Sequence, residues 1–185
     1  MDKKRIISLS GDIAAGKGAV SEVLIKRLNY TIYKNGEYFR SLAQEMNMSV
    51  TEFNKYVDEH PEIDRQIENR ATEYSKTHEN YIIDARLGWY SVPNSFKVYL
   101  RVDIEEAAKR ALGDPKRKVT ENFLTIEDQK ADIERRYKLE NERYEKIYGI
   151  RKDDMSNYDL VIDTTHITPE EVADKIIEEY KKWLP

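Results

Sequence analysis

The run Gly11-Asp12-Ile13-Ala14-Ala15-Gly16-Lys17-Gly18 constrains this chain more than any other stretch. It follows the apolar Ile6-Ile7-Ser8-Leu9-Ser10 and opens a helix-like segment from Lys17 to Leu28. A strand that turns through glycines into a helix is the setting in which G-x-x-x-x-G-K cradles phosphate. The glycines let successive N–H groups curl toward one anion. The helix N-terminus adds its own N–H groups and partial positive charge, and a lysine there reaches the β- and γ-phosphates. The expected ligand is a nucleoside triphosphate, held by Gly11, Asp12, Ala14, Ala15, Gly16, Lys17, Gly18 and Ala19. No hydroxyl follows the lysine, because position 18 is Gly. A glycine turn with a surface lysine is the plain alternative, and the strand-to-helix placement argues against it.

The rest of the chain suits such a core. At 185 residues it is expected to form one domain that buries most of its unfolded surface. Charged residues make up 36%, which implies a heavily solvated exterior. A net charge of -4 argues against binding a nucleic-acid polymer, which needs a basic face. Any phosphate ligand must then be held by a local cluster of Lys and Arg. The lack of cysteine excludes disulfides and thiolate metal sites and suits a cytoplasmic protein. Lys3-Lys4-Arg5 resembles the start of a signal peptide, but Ser10-Gly11-Asp12 cuts its apolar run short. No membrane segment is expected, His60, His78 and His166 lack metal-ligand spacing, and the chain reads as a monomer with a homodimer as the alternative.

Short apolar runs at Ile6–Ser10, Tyr81–Asp84, Lys97–Val102 and Leu160–Asp163, with a weaker one at Tyr30–Tyr33, alternate with helical segments. That order predicts an α/β fold with a parallel sheet covered by helices on both faces. Capping patterns mark helix starts at Ser49-Val50-Thr51-Glu52, Asp103-Ile104-Glu105-Glu106, Thr125-Ile126-Glu127-Asp128 and Thr168-Pro169-Glu170-Glu171. The last opens a helix from Pro169 to Trp183 with an apolar face. Two stretches interrupt the alternation. Asn35–Asn80 reads as helices near Gly36–Met46, Val50–Glu59 and Glu62–Thr77, and Gly113–Gly149 as a polar loop followed by a long charged helix. Helical insertions into a phosphate-binding core are where lids and second-substrate sites sit.

Asp84 ends a predicted strand at the sheet edge where α/β folds bind ligands, so it can hold Mg²⁺ or, more plainly, cap the next segment. Arg86 and Arg40 project from loops at that edge and suit phosphate oxygens, or surface ion pairs. Arg136 and Arg143, seven residues apart, share a face of the long helix. Glu134, Glu140, Glu142 and Glu145 lie on the same helix. The pair is therefore either a descending phosphate clamp or part of a solvated face laced with ion pairs. Tyr137, Tyr144 and Tyr148 read as packing, and Lys116-Arg117-Lys118 as loop charge that grazes the triphosphate.

These motifs together resemble the nucleoside monophosphate kinases, and among them the short, archaeal-type cytidylate kinases, over nearly the whole chain. The phosphate loop is similar to the GKGT loops of adenylate and UMP/CMP kinases, although position 19 is Ala rather than Thr. Asn35-Gly36-Glu37-Tyr38-Phe39-Arg40 resembles the G-x-x-[FY]-R element, which implies that Gly36 and Arg40 meet the acceptor. Asp84-Ala85-Arg86 resembles the D-G-R element, whose arginine meets the monophosphate. Leu87 stands where many bacterial members have an aspartate that helps define the acceptor. The resemblance also implies that Arg110 contacts the donor phosphates and that Arg136 and Arg143 are lid arginines with Lys17 as catalytic partner. The implied reaction is transfer of the γ-phosphoryl group of ATP, with Mg²⁺, to CMP or dCMP. Two alternatives stand beside it: another small acceptor, or a nucleotide-binding module with weak catalysis. Motor ATPases and GTPases fit poorly, since no strand ends in paired Asp-Glu and Asn54-Lys55-Tyr56-Val57 fails the N-K-x-D pattern.

Overall fold

The computed structural model describes residues 3–114 and 125–185, with backbone alone at positions 50 and 51. Five parallel strands form its sheet: β1 (Ile6–Gly11), β2 (Thr31–Lys34), β3 (Tyr81–Asp84), β4 (Phe96–Arg101) and β5 (Leu160–Asp163), in the order β2-β3-β1-β4-β5. The side-chain period of two sorts their apolar residues onto two faces. Ile7, Leu9, Ile82, Val98 and Leu100 point to one face and pack there with Val20, Leu24, Val172, Ile176 and Tyr180 from two helices. Ile6, Tyr81 and Ile83 point to the other, against Tyr33, Ala71 and Val92. Both faces are covered, which is why these strands read as unbroken apolar runs. Leu24 is fully buried, and its truncation to Ala should cost about 2–5 kcal/mol.

The helices that cover the first face are α1 (Lys17–Leu28) and, at the end of the chain, a helix over Pro169–Trp183. Between β2 and β3 lie α2 (Asn35–Glu45), α3 (Val50–Glu59) and α4 (Pro61–Thr77) in succession. They carry a small core of their own, built on Ala43, Phe53 and Val57. A short α5 (Gly88–Ser91) precedes β4. After β4 come α6 (Ile104–Gly113) and the 23-residue α7 (Ile126–Tyr148), then a 3₁₀ turn at Met155–Asn157, β5 and α8 (Pro169–Trp183). Ala107, Ala108 and Ala111 of α6 pack on Ile133 of α7 and on Ile13 of the glycine loop. The small alanines let these two helices approach closely.

The caps behave as their chemistry requires. Ser49 and Glu52, and likewise Thr168 and Glu171, form reciprocal capping boxes. Asp103 accepts from the N–H groups of Glu105 and Glu106, and Thr125 from that of Asp128. The predicted strand limits shift by a residue at three places. Tyr30 falls outside β2 because its N–H turns back to the Ile25 carbonyl and its ring meets Tyr180 edge-on. β1 runs one residue further because Gly11 pairs with Leu100, and β4 spans Phe96–Arg101. The four-residue α5 was not predicted, since a single turn is too short to show helical periodicity. Lys116-Arg117-Lys118, with the rest of the segment 115–124, lies outside the described residues.

Candidate active site

The glycine loop is shaped by backbone conformations that few residues tolerate. Ala14 and Gly16 both adopt left-handed dihedrals, at φ 62° and 84°. A Cβ on Gly11 would stand 2.5 Å from the Leu100 carbonyl oxygen, so only glycine fits there. Gly16 caps α1 without any side-chain hydrogen bond, which leaves the first-turn N–H groups of Lys17, Gly18 and Ala19 facing outward for an anion. Asp12 is turned elsewhere. Its N–H donates to the Leu100 carbonyl at 2.9 Å, and its carboxylate accepts from the Tyr99 hydroxyl at 2.6 Å and the Val102 N–H at 3.1 Å. This residue fastens the loop to β4. On the other side, the Thr164 hydroxyl lies 3.1 Å from the Ala15 carbonyl oxygen.

Arg110 stands beside Thr164 with its guanidinium engaged: it donates to Glu106 at 2.8 Å and to the carbonyls of Thr164 and Thr165 at 2.8 and 3.0 Å. Lys17 folds its ammonium back toward the Gly11 carbonyl at 3.4 Å. Burial pushes its pKa below the usual lysine value, against the pull of Asp84. A desolvated ammonium at the head of α1 gains strongly from an arriving phosphate.

Asp84 pairs in register with Leu9 on one side and Lys34 on the other, which sets it at the edge of the loop. From there a cleft of about 470 Å³ opens, lined by Lys17, Arg40, Asp84, Arg86, Arg136 and Arg143, together with Gly36. Residues from α1, α2, the β3 end and α7 thus meet in one cavity. Among the described residues its lining holds six cations, with Lys34 the sixth, against the carboxylates of Asp64, Glu68 and Asp84. On a chain of net charge -4, that concentration of positive charge is local and specific for an anion. A second cavity of about 490 Å³ behind Asp12 has the opposite character, with Asp12, Glu134 and Asp153 against Arg101.

Three arginines of the cleft pair with carboxylates. Arg86 pairs with Glu140 at 2.7 Å, and Glu140 also takes Lys152, which is only 3% exposed. Burial alone would raise the Glu140 pKa, but Arg86 and Lys152 hold it below its ordinary value. Burial likewise lowers the Lys152 pKa, with Glu140 opposing. Arg143 reaches across to Asp58 of α3 at 3.1 Å and to Asp64 of α4 at 3.5 Å. Arg136 lies 3.7 Å from Asp132 one turn before it. The long helix therefore shows the ion pairs of the second reading, and its two arginines line the cleft as the first would require. Sequence reasoning missed Lys152, Asp58, Asp64, Glu68 and Asn35. Within Arg151-Lys152-Asp153-Asp154 a buried lysine looks like solvated charge, and nothing local marks it.

Among the described residues no three or more acidic or histidine side chains group as a metal cage. Mg²⁺ does not need one, because one or two carboxylates with phosphate oxygens and water suffice. Asp84, beside Lys17 in the cleft, fits that role. Leu87 is fully buried among Trp89 and Tyr144 and gives the cleft no polar atom. Among the described residues no helix is long and apolar enough to cross a membrane.

Comparison with known proteins follows the same line. The model of the cytidylate kinase-like family matches residues 6–166. The cytidylate kinase of Thermoplasma acidophilum is 36% identical over 171 residues, 90% of this chain and 87% of its own. An S-adenosylmethionine-dependent nucleotide dehydratase of Lacinutrix mariniflava is 36% identical over 97% of this chain, which matches 36% of that longer protein. Among solved structures, shikimate kinase from Bacteroides thetaiotaomicron superposes with a TM-score of 0.66 at 14% identity, covering 95% of this chain and 98% of that one. This last likeness is one of fold.

Proposed function

The chain belongs to the cytidylate kinase-like family, and from that membership and its cleft we propose that it transfers the γ-phosphoryl group of ATP to CMP or dCMP. One observation carries the reading: Lys17 of the phosphate loop shares a cavity with Arg40, Arg86, Arg136 and Arg143. A donor phosphate and an acceptor phosphate are thereby brought to one place, which converts a bimolecular encounter into an oriented one.

The triphosphate lies in the curl of Gly11–Ala19, its β- and γ-oxygens against the first-turn N–H groups of α1 and the Lys17 ammonium. Arg110 borders the donor side. The acceptor phosphate is gripped by Arg40 and Arg86 beside Gly36. Arg136 and Arg143 meet the transferring group, where negative charge spreads over the equatorial oxygens. Phosphoryl transfer needs positioning and charge neutralisation, so no covalent enzyme intermediate is required. Mg²⁺ held by Asp84 would share the charge of the β- and γ-oxygens. The chain is one domain with two insertions, a monophosphate-binding region over 35–80 and a lid over 113–149 whose closure excludes water. The lack of cysteine suits a cytoplasmic protein and the net charge of -4 argues against a nucleic-acid polymer as ligand, with a monomer as the expected state, a homodimer the alternative, and no membrane partner.

ADP release, measured with ATP, Mg²⁺ and a panel of CMP, dCMP, UMP, AMP and shikimate, tests the proposal. Fastest turnover with CMP or dCMP is expected. Turnover confined to a non-nucleotide acid, or ADP release that ignores the acceptor, would overturn it.

A further inference from the structure

Of the three carboxylates that line the cleft among the described residues, Asp64 faces Arg143 and Asp84 lies beside Lys17. Glu68, midway along α4, is bonded differently. One of its oxygens accepts from the Ser91 hydroxyl, and the other accepts from the side-chain amide of Asn35 at 3.1 Å. Asn35 begins α2, lines the same cleft and is only 8% exposed. Its hydrogen bond to Glu68 fixes which way the amide points: nitrogen toward the carboxylate, oxygen away from it. That oxygen, Asn35 Oδ1, is buried and has no hydrogen-bond partner among the described residues. Buried acceptors are seldom left unpaired without a reason.

We propose that Asn35 and Glu68 read the base of the acceptor by gripping its exocyclic amine, Oδ1 taking one hydrogen and the Glu68 carboxylate the other. The proposal rests on the nucleoside monophosphate reading of the cleft. Geometry favours it. Two acceptors on either side of a planar amine stand about 5 Å apart. The 3.1 Å bond from Asn35 Nδ2 to Glu68, with the width of the amide group, keeps Oδ1 within about that distance of Glu68 Oε1. Chemistry narrows the partner further. Cytosine presents an NH₂ at C4, two hydrogens and no acceptor, whereas uracil presents a carbonyl oxygen of nearly the same size and opposite polarity. Two acceptors at that separation satisfy the first and repel the second. Ser91 holds the carboxylate in place from behind, so the pair is preorganised before the base arrives.

A substrate series on the wild-type protein tests this without any variant: kcat/KM is measured for CMP, for UMP, and for the pyrimidinone riboside monophosphate that carries hydrogen in place of the amine. CMP should exceed UMP by at least roughly 100-fold, because a site built on polar contacts rejects the analogue that leaves them unpaired. The pyrimidinone should fall between, since hydrogen fails to bond but does not repel. Glu68→Gln places a donor where uracil O4 needs one and should shrink the CMP to UMP ratio at least tenfold while the KM for ATP stays unchanged. Equal use of CMP and UMP, or of CMP and the pyrimidinone, overturns the proposal. So does a CMP to UMP ratio that survives both Glu68→Gln and Asn35→Ser, and in these cases the kinase reading stands. A protein that phosphorylates no pyrimidine nucleotide at all fails the kinase reading first, and this inference with it.

Discussion

Nine neighbouring residues, Gly11 to Ala19, form the loop assigned to the donor, and its shape comes mainly from backbone: two left-handed residues, a glycine where no Cβ fits, and an uncapped helix start. The acceptor side is assembled from side chains as far apart in sequence as Arg40 and Arg143, carried on separate helices. The two halves solve the problem of binding an anion differently. Backbone N–H groups carry only partial charge, so the donor loop keeps its shape with no counter-ions. Full guanidinium charges repel one another, so the acceptor side needs Glu140 against Arg86, Asp58 and Asp64 against Arg143, and Asp132 near Arg136. On the proposed assignment an acceptor phosphate competes with the Glu140 carboxylate for Arg86, while a triphosphate meets a loop of partial charges.

The hardest test of that contrast is Lys17→Ala. Lys17 is the one full charge of the donor loop that faces the cleft, and its desolvated ammonium is assigned to the place where charge develops. Its loss should lower kcat by about 10³-fold with the fold intact by circular dichroism. A variant with near-normal turnover would place the triphosphate elsewhere.

On the acceptor side the effects should appear in a different constant. Truncating one partner of a buried charge-assisted contact costs about 2–5 kcal/mol. Arg86→Ala and Arg40→Ala should therefore raise the KM for CMP at least roughly 30-fold while the KM for ATP moves little. Equal effects on both substrates would erase the division between the halves. Arg136→Ala should lower kcat about 10- to 100-fold with ground-state ATP binding nearly unchanged, since it is assigned to the transferring group. Wild-type kcat in that variant would return Arg136 to a structural role beside Asp132.

The same contrast explains what could be read from the sequence. The donor loop was legible because its chemistry is contiguous: strand, glycines, lysine and helix fall within fourteen residues, Ile6 to Ala19. The sheet was legible because buried parallel strands must be apolar on both faces. Arg40, Arg86, Arg136 and Arg143 were legible as candidates through spacing and resemblance, but their counter-charges were not. Asp58, Glu140 and Lys152 each sit in ordinary charged surroundings, and only the fold shows that α3, α7 and the following loop bring them against the cleft. Asn35 and Glu68 are separated by 33 residues, and their meeting depends on how α2 packs on α4.

A smaller effect, on pH, sharpens the base-reading part of the acceptor side. Burial pushes the Glu68 carboxyl up to about 7, Ser91 and Asn35 pulling it down and Asp64 pushing it up. Tyr33 of β2 and Tyr148 of α7 also face it, and burial keeps both hydroxyls neutral in this range. Protonation turns one acceptor into a donor, the polarity that uracil O4 wants. Between pH 8 and pH 6 the ratio of kcat/KM for CMP to that for UMP should fall about tenfold. Both substrates carry the same phosphate, so its own titration cancels. Linkage gives a second sign. The folded carboxyl holds its proton above the unfolded value of 4.5, so its contribution to stability is present below that pH and is lost as pH rises through about 7.

The smallest effect concerns a counter-charge rather than a cation. Asp58 is 61% exposed in its side chain, whereas Arg143, its partner, is 15% exposed. A solvent-screened pair of this kind contributes less than about 1 kcal/mol, so Asp58→Ala should unfold at nearly the wild-type denaturant midpoint. Its kinetic consequence separates the two halves once more. With Asp58 gone, Arg143 keeps the buried Asp64 as its anchor and one competitor for the transferring phosphoryl group is removed. The kcat should rise by up to about threefold and the KM values for CMP and ATP should not change. A lower kcat would mean that Asp58 positions Arg143 for the transferring group instead of competing with it, and the arginine side would then be as preorganised as the donor loop.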